Sequence, residues 1–181
     1  MAVSQRSYEH AVLENPNGRW ELHHGKLREK PSMSWEHGEA MFRLGHLLAL
    51  QLDRRQFRVR VNHGQVRRSA ESYYVPDVLV APTSIGASLR GRPLEVFAEP
   101  LPLVVEVWSP STGEYDVDAK IPEYQARGDQ EIWRLHPYDR TLTVWRRRSD
   151  GTYEEQRYDH GVVEIRSLPG VRIELGALFE E

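Results

Sequence analysis

With 181 residues, no cysteine and a formal net charge of −3, the chain excludes disulfide staples, thiolate metal sites and the broad basic surplus of a bulk nucleic-acid binder. The length points to one domain over residues 1–181; a domain of this size buries about 70% of the surface its unfolded chain would expose. No apolar run approaches the ~20 residues of a membrane helix, and Met1–Arg6 lacks the apolar segment of a secretory signal, so a cytoplasmic protein with no membrane partner is expected. Basic strips at Arg54-Arg55, Arg58, Arg60, Arg67-Arg68 and Arg146–Arg148 read as solvated edges, with a phosphate-tracking role as the sharper alternative.

Residues 1–18 form a lead-in, with a short helix over Tyr8–Leu13 stopped by Asn15-Pro16-Asn17-Gly18. Trp20–Leu22 and Lys26–Glu29 flank His24-Gly25 and predict a hairpin. Ser34 is a candidate N-cap for a long helix over Trp35–Leu52, whose Leu44, Leu47, Leu48 and Leu52 mark a buried stripe. Glu36 and Glu39 complement the helix dipole in its first turns; alternatively one of them, or His37, rims a site. Phe57–Val61 and Gln65–Arg68 around Asn62-His63-Gly64 predict a second hairpin. Pro76 forces Val75 to be extended, and Val78–Val80 reads as a buried strand. Pro82–Arg92 is expected to be an exposed loop. Leu103–Trp108 is the strongest central strand. A helix is expected over Glu114–Arg127, with Gly128 as its stop; Pro122 either kinks it or starts its regular part. Glu131–Leu135 is a strand, and Thr141–Arg146, Tyr153–Tyr158 and Val162–Ile165 predict a meander. Leu175–Phe179 closes the chain as a small helix.

Chemistry enters at Glu106. Strand alternation points Val104, Glu106 and Trp108 one way and Val105 and Val107 the other. An isolated carboxylate within Leu-Val-Val-Glu-Val-Trp is costly to bury unless it is paired, protonated or metal-bound. Its partner is either a buried Lys or Arg or a hard divalent cation, which prefers carboxylate oxygens. Asp77, at the mouth of the other apolar strand, supplies a second carboxylate if the two strands are neighbours, and the Val107 carbonyl a further oxygen. Such a pair with a cation binds phosphate and acidifies a water for in-line attack. Lys120 is the candidate to orient that water or offset phosphate charge. Spacing alone also fits Lys120 to a plain helix ion pair with Asp116, and Tyr124 to packing.

The ordered set resembles the PD-(D/E)XK nuclease superfamily, and more closely the Uma2 family of endonucleases, also known as domain of unknown function 820. The matching pieces are Pro76-Asp77-Val78, Glu106-Val107-Trp108-Ser109-Pro110-Ser111-Thr112, Asp116 with Lys120 and Tyr124, and Gly128 with Glu131-Ile132-Trp133. The similarity runs from about Trp20 to Phe179. It implies an α/β fold with a restriction-endonuclease-like core, a mixed central β-sheet flanked by helices, and extra hairpins and a meander. It implies Asp77 and Glu106 as metal ligands, Lys120 as a catalytic residue, Mg²⁺ or Mn²⁺ as cofactor and DNA as the nucleic-acid partner. One departure stands out. The superfamily's usual lysine follows the second acid by two residues, where this chain has Trp108; Lys120 matches a lysine moved to the next helix. Glu36 matches loosely a first-helix acid of some members, in competition with His37 and Glu39.

Two functions of different class follow. One is a metal-dependent DNA endonuclease using Asp77, Glu106 and Lys120, with a homo-oligomer as a natural way to address two strands. The other is a catalytically decayed binding or assembly module on the same fold, in keeping with the negative net charge and the lack of a basic arm. A purely structural Glu106–Lys120 ion pair is a third possibility.

Overall fold

The computed structural model describes residues 3–111, 113–115 and 119–179. Helix α1 (Gln5–Glu14) is capped by Ser4, whose side chain accepts from Ser7 N–H, and leads into the hairpin β1 (Trp20–His23) and β2 (Lys26–Glu29). Helix α2 (Trp35–Gln51) begins at the predicted cap: Ser34 Oγ accepts from His37 N–H at 3.2 Å. Strands β3 (Phe57–Val61), β4 (Gln65–Ser69), β5 (Ser72–Tyr74) and β6 (Val78–Pro82) follow. After them come α3 (Thr83–Leu89), β7 (Val96–Phe97), β8 (Leu103–Val107), α4 (Gly113–Tyr115) and α5 (Ile121–Arg127). The chain ends with β9 (Glu131–His136), β10 (Thr141–Arg147), β11 (Tyr153–Tyr158), β12 (Val162–Glu164), β13 (Arg172–Glu174) and α6 (Leu175–Phe179).

A mixed six-stranded sheet in the order β11-β10-β9-β8-β6-β3 forms the centre; β8 and β9 are parallel, and the other neighbours are antiparallel. One face packs on α2, α6 and the β12-β13 ribbon through Leu44, Leu48, Val105, Val107, Trp133 and Leu178. Gly45 lets α2 approach β3: a Cβ there would lie 2.5 Å from Val61 Cγ2. The other face, with Leu79, Val104 and Ile132, packs on α5 and on a five-stranded sheet in the order β2-β1-β5-β4-β7. Tyr8 and Val12 of α1 cover the far side of that sheet at Leu22 and Tyr73. No described helix is long and apolar enough to cross a membrane.

Three local expectations are corrected, and one open alternative is decided. Strands β3 and β4 do not form a hairpin; they belong to different sheets, and the turn through Asn62 and Gly64, both with positive φ, carries the chain from one to the other. The reason is competition: β3 pairs in full with β6, and β4 finds β5 and β7. Pro82–Arg92 contains α3 rather than only loop, with Ile85 and Leu89 packed against the core. Strand β12 leaves the meander to pair with β13, a strand with no signal beyond Arg-Ile-Glu alternation, because Val163 and Ile173 cover the α2 side of the core. Pro122 takes the second of its two readings. It sits in the first turn of α5, and that helix ends at Gly128 in the left-handed region at φ 86°.

Candidate functional site

Strand β8 is buried along its whole length, so Glu106 enters the interior with its apolar neighbours. The β6–β8 register pairs Val78 with Val105, which brings Asp77 alongside Glu106 and Val107. Pro76 keeps the approach extended, the Asp77 carbonyl accepts from Asn62 N–H at 2.7 Å, and Asp77 Oδ2 accepts from Val107 N–H at 2.7 Å. The condition set by the sequence, that the two acid-bearing strands be neighbours, is met.

Lys120 lies immediately before α5, with helical φ and ψ. Its Nζ is 3.0 Å from Glu106 Oε1 and donates to it. Tyr124, one turn on, donates its hydroxyl to the same oxygen at 2.5 Å. Lys120 also meets a third acid: Glu21 Oε1, at 2.8 Å, which accepts from Val75 N–H at 3.0 Å. Glu21 reaches inward because Leu22, its neighbour in β1, faces the other way, into the α1 cluster.

Asp77 Oδ1 is held from the other side. Lys30, just beyond β2, donates to it at 2.8 Å and to the Val75 carbonyl at 2.8 Å. His37 Nε2, in the first turn of α2, lies 3.1 Å from the same oxygen. Six elements or their ends therefore meet here: β1, β2, α2, β6, β8 and α5.

Glu21, Asp77, Glu106 and Lys120 are each 1% exposed. Burial pushes the Asp77 carboxyl up, but Lys30, His37 and Lys120 outweigh it and hold Asp77 below the usual carboxylate range. Among the described residues, three carboxylates, Glu21, Asp77 and Glu106, meet Lys30, Lys120 and the Arg28 guanidinium around one small space. They line a cavity of about 20 Å³ with Arg28, Ser109 and Tyr115. That is room for a water or an ion. The donor chemistry suits a hard divalent cation: clustered carboxylate oxygens. Among the described residues no three His, Asp or Glu side chains are placed to hold an ion by themselves. Asp77 and Glu106 are the carboxylates of neighbouring strands that would face such an ion.

Asp77, Glu106 and Lys120, singled out from the sequence, thus converge, and Tyr124 joins them. Of the three helix candidates His37 is at the cluster. Glu36 instead accepts from the exposed Tyr138 hydroxyl at 3.0 Å, and Glu39 lies 3.5 Å from Arg43. Asp116 lies outside the described residues. Trp108, in the superfamily's lysine position, stacks on His136 with ring centroids 4.2 Å apart. Glu21 and Lys30 were not anticipated. The available signal was a lone acid between Trp20 and Leu22, but its destination depends on Val75, far along the chain.

A family model described as "Uma2: Putative restriction endonuclease" matches residues 6–177. Among solved structures, the chain is similar to a crystal structure of "a putative nuclease belonging to DUF820" from Anabaena variabilis, with a TM-score of 0.73 and 20% identity over 88% of this chain and 89% of that one. That likeness shows the fold: α/β, with mixed sheets flanked by helices. No curated protein sequence matches. The chain belongs to the Uma2 family.

Proposed function

We propose that this Uma2-family chain hydrolyses phosphodiester bonds of DNA at the cluster of Glu21, Asp77, Glu106 and Lys120, with Mg²⁺ or Mn²⁺ held by Asp77 and Glu106. The observation that carries the reading is Glu106: a buried acid on the central strand, beside Asp77, with Lys120 Nζ at 3.0 Å. A bound divalent ion would acidify a water and offset phosphate charge. The residues do the rest. Lys120 offers an ammonium to orient the attacking water or to meet charge developing on the phosphate as a new P–O bond forms and an ester P–O bond breaks. Glu21 and Glu106 fix that ammonium between them, and Tyr124 fixes the Glu106 oxygen. Lys30, His37 and the Val107 N–H keep Asp77 ionised and oriented.

A second reading, a non-catalytic module on the same fold, draws support from one observation: Asp77, Glu21 and Glu106 are already met by protein donors. One experiment separates the two. Cleavage of supercoiled plasmid and single-stranded DNA is followed in Mg²⁺, Mn²⁺ or EDTA, with melting temperature alongside. The nuclease reading expects metal-dependent cleavage that falls about 10²-fold or more in Glu106→Gln. It also expects a Mn²⁺-dependent rise in melting temperature, because the ion binds the native state, and loss of that rise in Asp77→Asn. A folded protein with neither effect establishes the second reading.

A further inference from the structure

A wide groove lies behind the acid cluster, and the catalytic reading makes no use of it. It has a volume of about 750 Å³ and runs between α1, the edge strand β3 and the segment after α3. Five arginines line it, Arg19, Arg58, Arg60, Arg90 and Arg92, against a single acid, Glu95. The chain as a whole is at −3, so this is a local concentration of positive charge on an acidic protein.

The arginines are not equivalent. Arg60 is held by Glu95 in a two-pronged contact, with Nε to Oε2 at 2.8 Å and an η nitrogen to Oε1 at 2.8 Å. The other four have no carboxylate partner among the described residues. Arg58 donates to its neighbour's carbonyl at Phe57, and Arg19 to the Pro31 carbonyl at a long 3.4 Å. Arg58, Arg90 and Arg92 are exposed. Four such arginines around one groove, with a single acid among its lining residues, offer a site to an external anion. Strand geometry explains part of the design. Phe57, Val59 and Val61 pack on the core, so Arg58 and Arg60 project together from the other face of β3, about 6.8 Å apart along the strand. With Arg60 engaged by Glu95, the remaining arginines come from three separate segments, before β1, on β3 and after α3, and such a spread suits an extended polyanion better than a single small anion.

The groove also shares a wall with the acid cavity. Trp20 lines the groove and Glu21 the cavity; Val75 and Asp77 divide in the same way. The Asn62 N–H on the groove side donates to the Asp77 carbonyl at 2.7 Å. Resting on the nuclease reading above, we infer that this groove is a phosphate-tracking surface that binds the nucleic-acid backbone without reading its sequence, and leads it to the rim of the acid cluster. Arg19, Arg58, Arg90 and Arg92 contact phosphates, and the Arg60–Glu95 pair keeps the floor of the groove rigid.

The test is fluorescence anisotropy of labelled duplex and single-stranded DNA in EDTA, where binding is read without cleavage. The parent is compared with a variant carrying Arg19→Gln, Arg58→Gln, Arg90→Gln and Arg92→Gln, and with the matching set of lysine replacements. Each phosphate contact contributes about 0.9 to the slope of log affinity against log salt on duplex DNA. The parent should therefore weaken about 10²-fold between 50 and 200 mM salt. The glutamine variant should lose about three to four units of slope, and the lysine set should keep the parent slope. Melting temperature confirms that the fold is retained, since the four arginines have no carboxylate partner to lose. If the glutamine variant binds DNA with the parent's affinity and slope, the groove assignment is overturned while the nuclease reading stands. If the parent binds heparin but neither DNA form, the groove is anionic-ligand-binding but not a nucleic-acid surface, and the inference also fails. Groove-dependent binding by a protein that never cleaves would uphold the groove and sink the nuclease reading instead.

Discussion

Two buried charge clusters lie at opposite ends of α5, and they are built in opposite ways. At its C-terminal end Arg127 meets Asp129 through Nε at 3.0 Å and an η nitrogen at 3.1 Å. The remaining guanidinium N–H groups donate to the carbonyls of Arg67, Phe97 and Glu99, between 2.7 and 3.0 Å. Asp129 in turn accepts from Leu101 N–H at 2.7 Å. One cation faces one anion, and backbone from β4, β7 and the segment before β8 fills the remaining positions. At the N-terminal end Lys120 is shared between Glu21 and Glu106, Lys30 and His37 share Asp77, and the carboxylates outnumber the lysines. The first cluster staples the five-stranded sheet to α5. The second brings three carboxylates and Lys120, from separate strands and a helix end, onto one small cavity. Burial of charge is thus weak evidence for function; the convergence of several acids and an ammonium on one cavity is better evidence.

The comparison can be broken most forcefully at the staple. Arg127→Met leaves the buried Asp129 carboxylate without its cation and three carbonyls without their donor, which should cost about 3–5 kcal/mol in urea unfolding. Glu21→Gln keeps an acceptor for Val75 N–H and for Lys120, so it should cost on the order of 1 kcal/mol. Equal costs would erase the distinction.

Acid titration sharpens the same contrast with a smaller effect. Burial raises the Asp129 carboxyl despite Arg127 and the Leu101 N–H, so the native state takes up its proton more readily than the unfolded chain, and Asp129 gains stability for the fold as pH drops. Asp77 is held below its ordinary 3.8, so its contribution is complete above that value and is lost as pH falls below it. In metal-free protein, Asp77→Asn should flatten the loss of stability below about pH 4, and Asp129→Asn should not.

The architecture around β6, β8 and β9 was legible because continuous apolar runs bounded by proline leave few alternatives. Asp77 and Glu106 stood out for the same reason: each interrupts or borders such a run. Lys120 was not legible from spacing, since i,i+4 pairing with Asp116 explained it equally well; only family resemblance favoured it. Glu21 and Lys30 were hidden because a short hairpin carries no sign of what its inner face meets, and their partners at Val75 and Asp77 are fixed by sheet packing. The β3–β4 turn was misread on the same ground. Local alternation shows two strands and a turn, but only long-range pairing decides whether they share a sheet. Of the groove arginines only Arg58 and Arg60 stand out as basic strips in the sequence; Arg19, Arg90 and Arg92 join them only once the fold brings their segments together.

The most direct test sets the two clusters against each other in plasmid cleavage with Mg²⁺ or Mn²⁺, scored per folded molecule. Lys120→Met should lose about 10²-fold or more in rate, while Arg127→Lys, though less stable, should cleave at close to the parent rate. Equal loss in both, or full activity in Lys120→Met, would contradict the assignment of the Glu21, Asp77, Glu106 and Lys120 cluster as the site of chemistry.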